Sequence, residues 1–254
     1  MRTEILYEDK SIMVVRKPAG LAVQSAGIGQ PDVVSELKSH LAKLPGAGRT
    51  GKGEPYLGIV HRLDQPVEGL LVFAKDKKAA AALSKQLTEG ALNKHYYAVL
   101  CGYPDCPEGD LVDYLRKEGN VAVAVTGREQ EFADAKIAAL HYRILEEINA
   151  PSPLALADVT IGTGRFHQIR VQFAHAGFPL FGDTKYGTAV LKEAMSAQKY
   201  RGVALCAYSL ELVHPVSGKK MGFRVVPKNP AFAGFAMEEL KKLTENETGI
   251  SKRG

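Results

Sequence analysis

Residues 61–76 read HRLDQPVEGLLVFAKD. A polar cluster, His61-Arg62-Leu63-Asp64, meets a bend carrying Pro66 and Gly69. A near-continuous apolar run follows, Leu70-Leu71-Val72-Phe73-Ala74. A short apolar run bounded by turn residues is the pattern of a strand buried on both faces. The chain therefore sets an arginine and a carboxylate at the lip of a buried strand. Strand alternation would put Arg62 and Asp64 on one face and turn Leu63 inward. Two readings follow. One is a surface ion pair worth about 0–1 kcal/mol. The other is a carboxylate held rigidly enough to act as a nucleophile or base.

Outward from this stretch the pattern is mostly strands. EILYEDKSIMVVRKPAG reads as two strands about a turn at Glu8-Asp9-Lys10, stopped by Pro18 and Gly20. LGIVHR, GLLVFAK, KHYYAVLCG and LALADVTI read as further strands, and residues 110–146 hold several more. VALCAYSLEL and MGFRVV read as a hairpin across HPVSGKK. Helices are expected over PDVVSELKSHLAKL, DKKAAAALSKQLTEG, RFHQIRVQFAHAG and AFAGFAMEELKKL, with a frayed tail at 245–254. Residues 45–56, PGAGRTGKGEPY, form a basic Gly-rich loop without the spacing of a phosphate-binding P-loop. Many strands without regular helical crossovers give an α+β fold with a largely antiparallel sheet. No linker divides the chain, so one domain is expected over residues 1–244.

Composition limits the function classes. Of 254 residues, 45% are hydrophobic and 24% charged, the proportions of an ordinary globular protein with a sizeable core. The three cysteines, Cys101, Cys106 and Cys206, include no CxxC pair, which argues against a disulfide framework or zinc site. No signal-peptide pattern or membrane-length apolar window is present, so a cytoplasmic location is expected. A net charge of +5 and a pI near 9.0 suit a phosphate-rich partner or merely a basic surface.

Two more stretches hold chemistry-bearing residues. TGRFHQIRVQFAHAG (163–177) carries Arg165, His167, Gln168 and Arg170. On a helix starting after Gly164, His167 and Arg170 share a face, and arginines near a helix N-terminus suit phosphate. Phe166, Ile169, Phe173 and Ala176 also repeat at core spacing, as in any amphipathic helix. KHYYAVLCG (94–102) puts Tyr96 and Tyr97 on opposite faces of a strand, one expected in the core and one at the surface. An aromatic ring there can stack on a nucleobase.

Together these stretches resemble the RluA-type family of pseudouridine synthases. HRLDQPVEGLLVFAK resembles the family's HRLDxxTSGLLxxAK, and KHYYAVLCG its KxYxAxVxG. TGRFHQIRV resembles TGRxHQIRV, and GFPLFGDTKYG resembles GHPIxGDxxYG. The motifs stand in the family's order between about residues 4 and 227. The resemblance implies a pseudouridine synthase fold with a central RNA-binding cleft. It also implies cofactor-free, metal-free isomerisation of an RNA uridine, with ribosomal RNA favoured over transfer RNA. Asp64 stands at the catalytic aspartate, Arg170 at the arginine that pairs with it, and Tyr96 at the tyrosine that stacks on the base. Arg62 would replace the flipped uridine in the RNA, an extrusion needed because a stacked base hides its reacting atoms. Arg165, His167 and Gln168 are expected at the RNA. The expected state is a monomer without an N-terminal S4-like domain. Val67-Glu68 replaces the family's Thr-Ser, which would bring a negative charge near the RNA.

Overall fold

The computed structural model describes residues 1–25, 27, 29–44, 54–126, 134–149, 152–188 and 202–236. Most of the Gly-rich loop, most of the expected last helix and the 245–254 tail lie outside these residues. Among them are eleven strands in one mixed sheet and three α-helices. The strands are β1 (Glu4–Glu8), β2 (Ile12–Lys17), β3 (Gly58–Ile59), β4 (Glu68–Ala74), β5 (Asn93–Cys101) and β6 (Glu108–Glu118). They continue with β7 (Val121–Ala124), β8 (Lys136–Ile148), β9 (Leu154–Ile161), β10 (Leu205–Val213) and β11 (Lys220–Arg224). The helices are α1 (Val33–Lys43), α2 (Lys77–Thr88) and α3 (Gln168–His175). The order β1-β2-β4-β10-β5-β9-β8-β6-β7 is antiparallel throughout except at one seam, where β4 runs parallel to β10.

That seam is short. It registers Cys206 with Glu68 and Ala207 with Gly69. Gly69 has φ +130, and a Cβ there would lie 2.5 Å from the backbone N and O of Ala207, so only glycine lets the two backbones close. The seam joins two half-sheets, and the HRLD loop leaves the sheet beside it.

β4 is buried on both faces, as its apolar run predicts. Ile12, Val14, Leu70 and Val72 face α2 through Ala79 and Leu83. Met13, Val15, Leu71 and Phe73 face α1 through Val33, Leu37 and Leu41. Both helices begin where a carboxylate satisfies a free N–H: Asp32 Oδ1 accepts from Ser35 N at 2.7 Å, and Asp76 Oδ1 from Ala79 N at 2.8 Å. α3 packs Ile169 and Phe173 on Ala98, Leu100 and Tyr96.

Four local expectations are corrected. The LGIVHR strand shortens to Gly58–Ile59. Beyond it, His61 Nε2 accepts the Val72 N–H at 3.3 Å, so a side chain replaces the next ladder bond and frees the backbone to turn away. Arg62, Leu63 and Asp64 are thus on a loop, not a strand. The third helix starts at Gln168 rather than after Gly164, because the Gln168 side chain folds back and ties down Thr163 and Arg165. Tyr97 is as buried as Tyr96, at 5% exposure each. Around the middle of β5 the sheet is covered on both faces, and Tyr97 stacks on Tyr208 at 3.7 Å.

Candidate active site

The HRLD loop is clasped from the end of β2. Lys17, fully buried, donates through Nζ to the carbonyls of Pro18 (2.9 Å), Leu21 (2.7 Å) and Gln65 (3.0 Å). Gly20 N also donates to Gln65 O at 2.8 Å. The KPAG turn therefore grips the residue after Asp64. Burial pulls the Lys17 ammonium down to about 7, against the opposing pull of Asp64 and Glu68. Val67 N closes the loop onto Asp64 O at 3.1 Å.

Asp64 meets its partner from α3. Arg170 Nη1 donates to Asp64 Oδ2 at 3.0 Å, across 106 residues of chain. The guanidinium is itself clamped: Nε donates to Asp183 Oδ2 at 2.7 Å and Nη2 to Asp183 Oδ1 at 2.8 Å. This fork on a carboxylate fixes the plane of the arginine. Burial works against the Arg170 charge, yet Asp183 and then Asp64 outweigh it, so its pKa rises. Asp183, wholly buried, also accepts from Lys185 N and Tyr186 N. All of its capacity is spent on holding Arg170 and the turn.

Asp64 is different, with a side chain 23% exposed. Its Oδ2 faces Arg170 and, at 3.7 Å, His167 Nε2. Its Oδ1 accepts no hydrogen bond from any described residue. One oxygen is held and the other is open.

Tyr96 projects from β5 beside this carboxylate. Burial, then the Asp64 charge, raises its phenol above the ordinary value, so the hydroxyl keeps its proton at neutral pH. Arg62 is exposed and makes no ion pair with Asp64, so the surface-pair reading of these neighbours fails. Arg165 anchors through Nε to Ile137 O at 2.9 Å. Gln168 is 4% exposed, with its amide spent on Thr163, Arg165 and Ala139, and so serves the loop.

Glu68 also departs from expectation. It lies buried, not at an RNA-facing surface, and accepts from Lys228 N at 3.0 Å and Asn229 N at 2.8 Å, with Arg16 at 3.5 Å. A cavity of about 230 Å³ is lined by Glu68, Arg16 and Lys228, not by Asp64, Tyr96 or Arg170. Five further histidines each meet a carboxylate: His40 with Glu8, His95 with Asp158, His141 with Asp110, His175 with Asp113, and His214 with Asp9. The described residues contain no cluster suited to a metal ion and no helix long and apolar enough to cross a membrane.

Sequence reasoning assigned no role to Asp183, Tyr186 or Lys17. The signals were present in GDTKYG and RKPAG, but their partners come from other parts of the chain.

Comparison with known proteins supplies the family. The model for RNA pseudouridylate synthase matches residues 11–175. The chain is 35% identical over 230 residues to the ribosomal large subunit pseudouridine synthase D of Zymomonas mobilis, covering 87% of this chain and 68% of that protein. It is 38% identical over 225 residues to an uncharacterized RNA pseudouridine synthase of Synechocystis, covering 85% of this chain and 63% of that one. The chain thus spans about two thirds of the length of these relatives. Among solved structures, human RNA pseudouridylate synthase domain containing 4 superposes with a TM-score of 0.68 at 25% identity, covering 94% of this chain and 93% of that one.

Proposed function

The chain belongs to the RNA pseudouridylate synthase family, and on that premise we propose that it isomerises a uridine of large-subunit ribosomal RNA to pseudouridine. The observation that carries this reading is Asp64 with Oδ2 gripped by a clamped arginine and Oδ1 open. The RNA class follows from the name of the Zymomonas mobilis relative. The cytoplasm and a monomeric state go with this reading.

The reaction breaks N1–C1′, turns the uracil, forms C5–C1′ and moves the C5 proton. Product and substrate contain the same atoms, so the balance needs no oxidant, reductant or donor. Asp64 Oδ1 is the reacting oxygen, either as a nucleophile at C1′ or C6 or as a base toward the 2′ proton. Both roles need an ionised carboxylate of fixed direction, which Arg170 supplies. Tyr96, kept protonated, stacks on the base and offers a hydrogen bond. Arg62, exposed and unpaired with Asp64, fills the place of the extruded uridine.

The test is tritium release from RNA labelled at uridine C5, with no added cofactor and with EDTA present. Release from a large-subunit ribosomal transcript is expected. No release from any RNA would overturn the activity; release from transfer RNA alone would overturn the substrate.

A further inference from the structure

His167 is the one non-glycine described residue with positive φ, at φ 55 and ψ 24. Left-handed backbone is costly for a residue with a Cβ and persists where the surroundings enforce it. Here the Gln168 side chain ties Thr163 and Arg165 behind it, and Val171 N donates to His167 O at 3.0 Å. The consequence is directional. The ring stacks under Phe166 at 3.8 Å, and its two nitrogens face different partners.

Nδ1 lies 2.7 Å from the Tyr186 hydroxyl, and Nε2 lies 3.7 Å from Asp64 Oδ2. The Tyr186 hydroxyl also accepts the Ala122 N–H at 2.7 Å. A phenol has one proton to give. If Nδ1 were protonated, both it and Ala122 would donate to Tyr186 Oη, and the phenolic proton would have no acceptor among the described residues. With Nδ1 bare, every group is matched: Ala122 N–H to Tyr186 Oη, Tyr186 O–H to Nδ1. The imidazole proton then sits on Nε2 and points at Asp64.

We propose that His167 is a positioning residue: a neutral donor locked as the Nε2–H tautomer by Tyr186, which orients the Asp64 carboxylate so that Oδ1 reacts. It rests on the pseudouridine reading only for what Asp64 does. The 3.7 Å gap exceeds a hydrogen bond, and contacts of this kind are commonly long without substrate and tighten in the complex. Neutrality matters because Arg170 already supplies one full charge to Oδ2. A second cation would make the carboxylate a weaker base and nucleophile, whereas a neutral N–H orients it with little loss of basicity.

The groups facing the ring agree with a neutral state. Asp64 comes from the loop after β3, Arg170 from α3, and Asp183, Lys185 and Tyr186 from the turn beyond it, while Lys117 of β6 lies over the Phe166 ring at 4.9 Å. Burial lowers the imidazole to about 4, with Asp64 opposing and Arg170 and Lys185 assisting.

The direct test is 15N NMR of the imidazoles at pH 7 without RNA, His167 being assigned by its loss in His167→Gln. A bare Nδ1 and a protonated Nε2 are expected. In Tyr186→Phe the lock is gone, and a share of the ring should shift to the Nδ1–H tautomer. An Nδ1–H tautomer or an imidazolium in the unsubstituted protein would overturn the proposal. The kinetic arm uses single-turnover tritium release. Tyr186→Phe should slow it about tenfold at unchanged RNA affinity, and His167→Gln should outperform His167→Ala. A Tyr186→Phe rate equal to the parent at every pH would overturn the positioning role. Because the NMR arm needs no activity, it holds or fails separately from the pseudouridine reading, which Asp64→Asn tests alone.

Discussion

Asp64 and Glu68 stand four residues apart, on either side of one bend, and each meets an arginine. Glu68 is 3% exposed and spends both oxygens on Lys228 N, Asn229 N and Arg16. Asp64 is partly open, spends Oδ2 on Arg170 and leaves Oδ1 without a hydrogen bond from any described residue. The difference is one of satisfaction. A carboxylate whose two oxygens are both taken, here by backbone N–H groups and an arginine, is a structural cross-link, pinning the chain after β11 to the start of β4. A carboxylate with one oxygen fixed and one free is oriented but unspent, which is what a nucleophile or base requires. On the proposed reading, two identical functional groups in one motif have opposite tasks.

On the proposed reading, Asp64→Asn should lower tritium release by about 10³-fold or more, with a smaller loss of Tm than Glu68→Gln, because Asp64 is more exposed and Arg170 keeps its fork on Asp183. Arg170→Ala should lower turnover about 100-fold and RNA affinity far less, read from kcat and KM separately; equal losses in both would make Arg170 a phosphate contact. Glu68→Gln should do the reverse. Losing the buried charge beside Arg16 costs about 2 kcal/mol, or about 4–8 °C in Tm, with turnover per folded molecule preserved.

The smallest effect is on acid stability. Burial, first, holds His61 near 3 and His167 near 4, both below the ordinary 6.5 of the unfolded chain. Between these values the unfolded state binds more protons, so stability rises with pH there and is lost as pH falls from about 6.5 toward 4. His167→Gln should therefore lose less Tm between pH 7 and 5 than the parent; an equal loss would mean that His167 is not held neutral.

Local patterns carried much of the fold. The apolar run of β4, the Asp32 and Asp76 caps and the β10–β11 hairpin are all written in adjacent residues. The pairing of Asp64 with Arg170 came through the family resemblance, since nothing local links residues 106 apart. What escaped was set by distant partners. Glu68 looked like a surface charge because Lys228 and Asn229 lie 160 and 161 residues on. Asp183 sat unremarked in GDTKYG because its purpose is visible only beside Arg170. His167 was expected inside a helix, where its backbone would aim the ring elsewhere, because the Gln168 clamp competes with helix formation only once the loop is in place.

On the proposed reading the open carboxylate does the chemistry and the saturated one does not. Asp64→Asn and Glu68→Gln can be compared in one tritium-release experiment, each held well below its own Tm on the same ribosomal RNA transcript. Release lower by about 10³-fold or more is expected from Asp64→Asn, and parental release from Glu68→Gln. Parental release from folded Asp64→Asn would contradict that reading.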